Sequence, residues 1–169
     1  MRLAIFDYNG TIFPQETLRF LLEEWKNQGY SRLRYYKIYL SVFPLYLRYK
    51  AGFNFSLSKE EMERRAVEKF SWIFKGMKND EIQEFFTTAE MTARNYYNRE
   101  IIRELKIVKT KNYHTVLLSG AFSCLLQQAA DGLGIETVIG SRLGLANHRY
   151  NPGTGMEIIS GSNKLARLK

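Results

Sequence analysis

The sequence predicts an α/β fold in which a parallel sheet is built from the two ends of the chain and a block of helices is inserted between them. Three observations carry that expectation. Short apolar runs without polar alternation stand at both ends, Leu3-Ala4-Ile5-Phe6 first and Thr115-Val116-Leu117-Leu118 and Glu136-Thr137-Val138-Ile139 later. Such runs suit strands buried on both faces, as in parallel sheets. The two later runs are separated by a helical stretch, which is the strand, helix, strand order of a βαβ unit. Between residues 15 and 112, by contrast, the apolar period is helical almost throughout.

Taken in order, the first strand ends in Asp7-Tyr8-Asn9-Gly10-Thr11, which is turn chemistry. Helices are expected over 15–28, closed by Gly29; over 31–51, bent at Pro44; over 58–75, closed by Gly76; over 79–97; and over 100–111. Ser58 with Glu61 three residues on reads as a capping box, Asn79 and Asn98 read as N-caps, and Gly29 and Gly76 as C-terminal stops. The second strand leaves through Ser119-Gly120 as an exit turn into a helix over 121–132 ended by Gly134. A third strand follows, then a hairpin over 149–159 turning at Asn151-Pro152-Gly153, and residues 162–169 begin a helix. No internal repeat or low-complexity segment interrupts this order.

Composition narrows the function classes. The 169 residues hold 25 Lys and Arg against 17 Asp and Glu, a formal charge of +8, and 45% are hydrophobic, ample material for a core. A single cysteine, Cys124, excludes an internal disulfide or a multi-Cys zinc cage; it reads as a small buried residue. His114 and His148 are too few and too scattered for a histidine metal site. The start of the chain lacks a signal-peptide pattern, and the most apolar stretch, 38–49, carries Pro44 and is too short to span a bilayer. A cytoplasmic protein is the expectation.

Open parallel sheets bind ligands beyond the carboxyl ends of their strands. Three such points exist here: Asp7 to Thr11, Ser119-Gly120, and the 161–164 turn. Together they supply a carboxylate able to attack phosphorus, a hydroxyl beside backbone N–H groups, and an ammonium at a helix start, which is a phosphoryl-transfer set. Asn151-Pro152-Gly153-Thr154-Gly155 has no Gly-Lys-Ser/Thr ending and reads as a turn rather than a phosphate loop.

Ile5-Phe6-Asp7-Tyr8-Asn9-Gly10-Thr11 resembles the first motif of the haloacid dehalogenase-like (HAD) superfamily, Leu117-Leu118-Ser119-Gly120 its second, and Gly161-Ser162-Asn163-Lys164 its third. Their order, and a helical insert directly after the first motif, are similar to the phosphoserine-phosphatase-like branch. The resemblance implies a Rossmann-like core from residues 1–13 and 98–169, with a helical cap over 14–97. It also implies Mg²⁺-dependent hydrolysis of a small phosphorylated substrate, a phosphate monoester. Asp7 would be the nucleophile and a metal ligand, with the backbone carbonyl of Asn9 as a second ligand. Ser119 and the Gly120 N–H would hold phosphoryl oxygens with Gly10 and Thr11 nearby, and Lys164 would neutralise charge.

Two departures stand out. Asn9 replaces the family's acid/base aspartate, and an amide cannot take or give that proton, help worth about 10²–10⁴-fold. The fourth, acidic motif is expected some tens of residues past Lys164, beyond Lys169, so the core is expected to lack its last strands. Asn9 is compatible with an engineered trapping substitution, with slow natural turnover, or with a module that binds phosphate compounds without hydrolysing them.

Tyr30 to Lys50 holds Arg32, Arg34, Lys37, Arg48 and Lys50, no acid, and seven aromatic residues. It reads first as a cap helix pair packing its aromatics inward. The functional alternatives are an entrance for an anionic substrate or a weak membrane-surface contact. Nucleic acid is not expected as a partner, since no recognition motif accompanies the charge.

Overall fold

In a computed structural model of the chain, residues 2–51 and 58–160 are described. Lys164 and the expected helix over 162–169 lie outside the described residues. Strands β1 (Leu3–Phe6), β2 (His114–Phe122) and β3 (Thr137–Ser141) form a parallel sheet in the order β1-β2-β3. The register runs from Leu3 opposite His114 to Phe6 opposite Leu117.

Between β1 and β2 come α1 (Thr17–Asn27), α2 (Arg32–Ala51), α3 (Lys59–Ser71), α4 (Asn79–Ala93) and α5 (Arg99–Thr110). Ser58 Oγ accepts the Glu61 N–H at 3.1 Å and Asn98 accepts the Glu100 N–H at 3.0 Å, so both N-caps form as expected. Asn79 does not cap α4. It is the first helical residue, and Glu81 reaches back to accept the Lys78 N–H at 2.6 Å, so the acid at the third helical position closes that end whatever residue precedes it. Short 3₁₀ turns at Trp72–Phe74 and Arg94–Tyr96 replace the last turns of the expected third and fourth helices.

After β2, α6 (Ser123–Leu133) packs against both β2 and β3 and against α4. Phe122, at the end of β2, is fully buried among Phe70, Phe74 and Phe86, with ring centres 5.5–6.0 Å apart. One apolar core therefore runs without a break from the sheet into the helices. A two-stranded hairpin, β4 (Leu145–Ala146) and β5 (Arg149–Tyr150), ties the tail to the helical block. Gly76 N–H donates to the Tyr150 carbonyl, Tyr150 N–H donates to the Met77 carbonyl, and the Tyr150 hydroxyl donates to Ser71 Oγ at 2.6 Å.

Three expectations need correction. β1 is not buried on both faces: Leu3 and Ile5, which share one face of the strand, are 42% and 45% exposed, because no described residue covers that face. β2 does not end at Leu118. It continues through an irregular stretch to Phe122, which pairs with Ser141, so Ser119-Gly120 lie within the strand and α6 starts later than expected. The hairpin turns at Asn147-His148, whose φ values of +50° and +60° make the tight turn that matches strand twist. Asn151-Pro152-Gly153 instead begins a 3₁₀ turn in which Asn151 Oδ1 accepts the Gly153 N–H.

Candidate active site

Asp7 is the first residue past β1, and the parallel register sets it level with Leu118, one residue before Ser119. β1 thus ends beside the irregular stretch of β2 that holds Ser119. The chain then turns sharply. Gly10 N–H donates to the Phe13 carbonyl at 2.8 Å, and Phe13 N–H to the Tyr8 carbonyl at 2.9 Å. Gly10 has a φ of +72°, a left-handed conformation in which a Cβ would be strained, which accounts for glycine at this point. Thr11 follows in the same turn, half-buried.

Asn9 is held from the helical side. The Thr17 hydroxyl, in the first turn of α1, donates to Asn9 Oδ1 at 2.6 Å, and Thr17 itself is buried. Beside it Glu16 caps α1, accepting the N–H groups of Leu18 and Arg19. Burial first, then the nearby Glu16 carboxylate, raise the Tyr46 phenol above its ordinary range. Behind the turn Tyr8 stacks on Phe13 and meets Tyr97 edge-on. Burial raises the Tyr8 and Tyr97 phenols above their ordinary range.

Ser119 is fully buried, and its Oγ accepts the Ala121 N–H at 3.4 Å; it does not cap α6, whose N-cap, Phe122, makes no side-chain hydrogen bond. A Cβ on Gly120 would lie 2.9 Å from the Ile159 carbonyl oxygen, so only glycine lets the tail approach this closely. Ser141, at the end of β3, donates from its hydroxyl to the Gly120 carbonyl at 2.8 Å and accepts the Ile159 N–H at 3.0 Å. Ser160 then donates to Glu60 at 3.2 Å. The tail is therefore tied to β2 and β3 at Ile159 and to α3 at Ser160. Thr17 and Ser141 were missed in the sequence. Neither belongs to a motif, and only the fold brings Thr17 to Asn9 and Ser141 to Gly120.

Cys124 is half-buried, with its thiol raised by burial. The aromatics of α2 divide. Tyr35 and Tyr46 pack inward, whereas Tyr36, Tyr39 and Phe43 are exposed, with Tyr39 and Phe43 stacked on each other at 5.5 Å. The expectation that this segment packs its aromatics inward holds for only part of it, because the apolar residues of α2 lie on two opposite faces.

A parallel sheet with an acidic turn after its first strand and a serine in the irregular stretch of the next fits a hydrolase of the α/β class. The chain belongs to the haloacid dehalogenase-like hydrolases, whose family model matches residues 4–169. Its fold is shared with solved structures at low identity. A protein of unknown function from Bordetella pertussis Tohama I superposes with a TM-score of 0.68 at 16% identity, over 89% of this chain and 65% of the other. A HAD family hydrolase from Salmonella enterica serovar Typhi gives 0.65 at 13%, over 97% and 48%. A phosphoserine phosphatase in its apo form gives 0.59 at 13%, over 99% and 67%. The chain thus spans less than two thirds of the length of the first two. No curated protein matches it in sequence.

Proposed function

We propose that this chain is a phosphatase-type hydrolase of a small phosphate monoester, acting in the cytoplasm, with residues 14–97 as a cap over a core formed by 1–13 and 98–169. The observation that supports this reading is Asp7 just past the end of β1 beside Ser119 in the irregular stretch of the neighbouring parallel strand β2, with Gly120 packed against Ile159. An Asp7 carboxylate oxygen attacks phosphorus in line, the ester P–O bond breaks, and the leaving alkoxide takes up a proton. Water then attacks the aspartyl-phosphate, releasing inorganic phosphate and regenerating the carboxylate. Ser119, the Gly120 N–H, Gly10 and Thr11 stabilise the phosphoryl oxygens, and Lys164 neutralises the charge that develops.

The Asp7 carboxylate and the Asn9 backbone carbonyl are hard oxygen donors of the kind Mg²⁺ takes alongside water and substrate phosphate. Among the described residues no group of three His, Cys, Asp or Glu side chains gathers, so these two oxygens are the donors proposed there. Bound there, Mg²⁺ would supply charge neutralisation at the phosphate. Asn9 cannot relay the proton that the leaving alkoxide needs. Its amide oxygen is also already taken up by the Thr17 hydroxyl, which supports slow turnover. That same substitution favours the second reading, a non-catalytic module that binds phosphorylated ligands.

The test is Mg²⁺-dependent phosphate release from p-nitrophenyl phosphate by the chain and by Asn9→Asp. A gain of about 10²–10⁴-fold is expected in the variant. If Asn9→Asp stays silent while both proteins bind a phosphate analogue such as vanadate, the binding-module reading replaces the enzyme. Silence without binding overturns both.

A further inference from the structure

α2 carries a second apolar face that no described residue covers. Leu33, Tyr36, Leu40, Phe43 and Leu47 are 44–80% exposed and recur at intervals of three and four. At about 100° per residue they fall within roughly 80° of arc, on the side opposite the buried Ile38, Val42 and Leu45. Basic residues border this stripe on both sides, Arg32 along one edge and Lys37 along the other. Trp72 lies next to the Lys37 edge. It is 50% exposed, the Lys75 ammonium sits over its ring at 5.3 Å, and it lines a shallow cleft of about 370 Å³ with Arg34, Lys37 and Ile38.

The charges that α2 itself carries have one sign, while Glu16, Glu23 and Glu63 lie near the side of the helix that bears Tyr35 and Tyr46. Between Glu24 and Glu60 the sequence contains Lys26, Arg32, Arg34, Lys37, Arg48, Lys50 and Lys59 and no Asp or Glu. Two copies of α2 meeting along the stripe would set these cations against each other. A surface of fixed negative charge over an apolar interior instead satisfies both the cations and the stripe. No described helix is long and apolar enough to cross a membrane, so the helix would lie in the interface plane. Aromatic rings at its edges are suited to the headgroup level.

We propose that the outward face of α2, together with Trp72, is a docking surface for an anionic lipid bilayer. Leu33, Leu40, Phe43 and Leu47 enter the acyl boundary, Tyr36 and Trp72 sit among the headgroups, and Arg32, Lys37 and Lys75 meet lipid phosphates. This goes beyond the hydrolase reading and does not depend on it.

The experiment is flotation of the full chain with vesicles of phosphatidylcholine alone or mixed with phosphatidylglycerol, at low and high salt, alongside Trp fluorescence. Trp25 is buried at 1% exposure, so a change in emission on binding reports Trp72. The expected result is recovery with the anionic vesicles only, a blue shift of the emission, and weakening by salt. Lys37→Glu should weaken partition by about tenfold or more, since each basic residue near an anionic surface contributes on the order of 1 kcal/mol. Leu40→Glu with Phe43→Glu should abolish it, and both sites are exposed enough for the fold to tolerate the change. Equal behaviour with the two vesicle types, binding unchanged by the double variant, or no binding at all overturns the proposal. So does a dimer in solution that the double variant dissociates, which would make a second copy the occupant.

Discussion

Gly120→Ala is the sharpest test of how the site is assembled. The new methyl carbon would stand 2.9 Å from the Ile159 carbonyl oxygen, and that oxygen belongs to backbone, not to a side chain free to swing away. Ile159 is also tethered, because its N–H is bonded to Ser141 Oγ, which in turn donates to the Gly120 carbonyl. Relief therefore needs either the strand or the tail to move, and overpacking of this kind costs about 1–3 kcal/mol. With a urea dependence of about 2 kcal/mol per M, the midpoint should fall by roughly 0.5–1.5 M. Ser141→Ala removes both tethers from a fully buried position and leaves the Ile159 N–H and Gly120 carbonyl without their partner. Its expected cost is about 1–3 kcal/mol for each group stranded. Because both substitutions release the same segment, the double variant should lose clearly less than the two single losses added together. The assay is urea unfolding followed by circular dichroism across the four proteins. A Gly120→Ala midpoint unchanged from that of the parent, or strict additivity in the cycle, would refute the clamp.

Two further outcomes follow from single interactions. Hydrogen bonds from Arg64 and then Arg65 hold the Glu61 carboxyl at about 2, below its ordinary 4.5; a group lowered on folding stabilises above the ordinary value and loses that contribution as pH falls. Thermal melts of the parent and Glu61→Gln should differ at neutral pH and converge between pH 4.5 and 2; a constant gap across that window would exclude the ion-pair account. Tyr150→Phe deletes a buried hydroxyl that donates to Ser71, which still donates to the Glu68 carbonyl, so a modest loss of about 1 kcal/mol in urea unfolding is expected.

The parallel α/β framework was legible because β1, β2 and β3 are apolar runs with turn chemistry after them, and because the caps at Ser58 and Asn98 act through neighbours two or three residues away. Readings failed where distant chain decides the outcome. An apolar run such as Leu3–Phe6 shows what a strand could bury but not how many layers cover it. Ser119-Gly120 has turn-forming residues, yet pairing of Phe122 with Ser141 keeps the chain in the sheet. At Asn147-His148 the turn depends on two left-handed residues, neither of them glycine, a cue that Asn151-Pro152-Gly153 masked nearby. In the site, Asp7, Gly10 and Ser119 carry local signatures. Thr17 and Ser141 have none, since a hydroxyl that bonds across the fold leaves no periodicity behind.

The pairing of Leu3 with His114 also bears on the order of events as the protein folds. β2, α6 and β3 are close in sequence, as are the helices with one another, and short loops close readily. β1 can join β2 only by closing a loop of roughly 110 residues, the longest strand pairing in sequence among the described residues. The strand that delivers Asp7 to the sheet would therefore dock late, onto a scaffold already in place. Partly refolded protein would hold Ser119 and the inserted helices before Asp7 reaches the sheet.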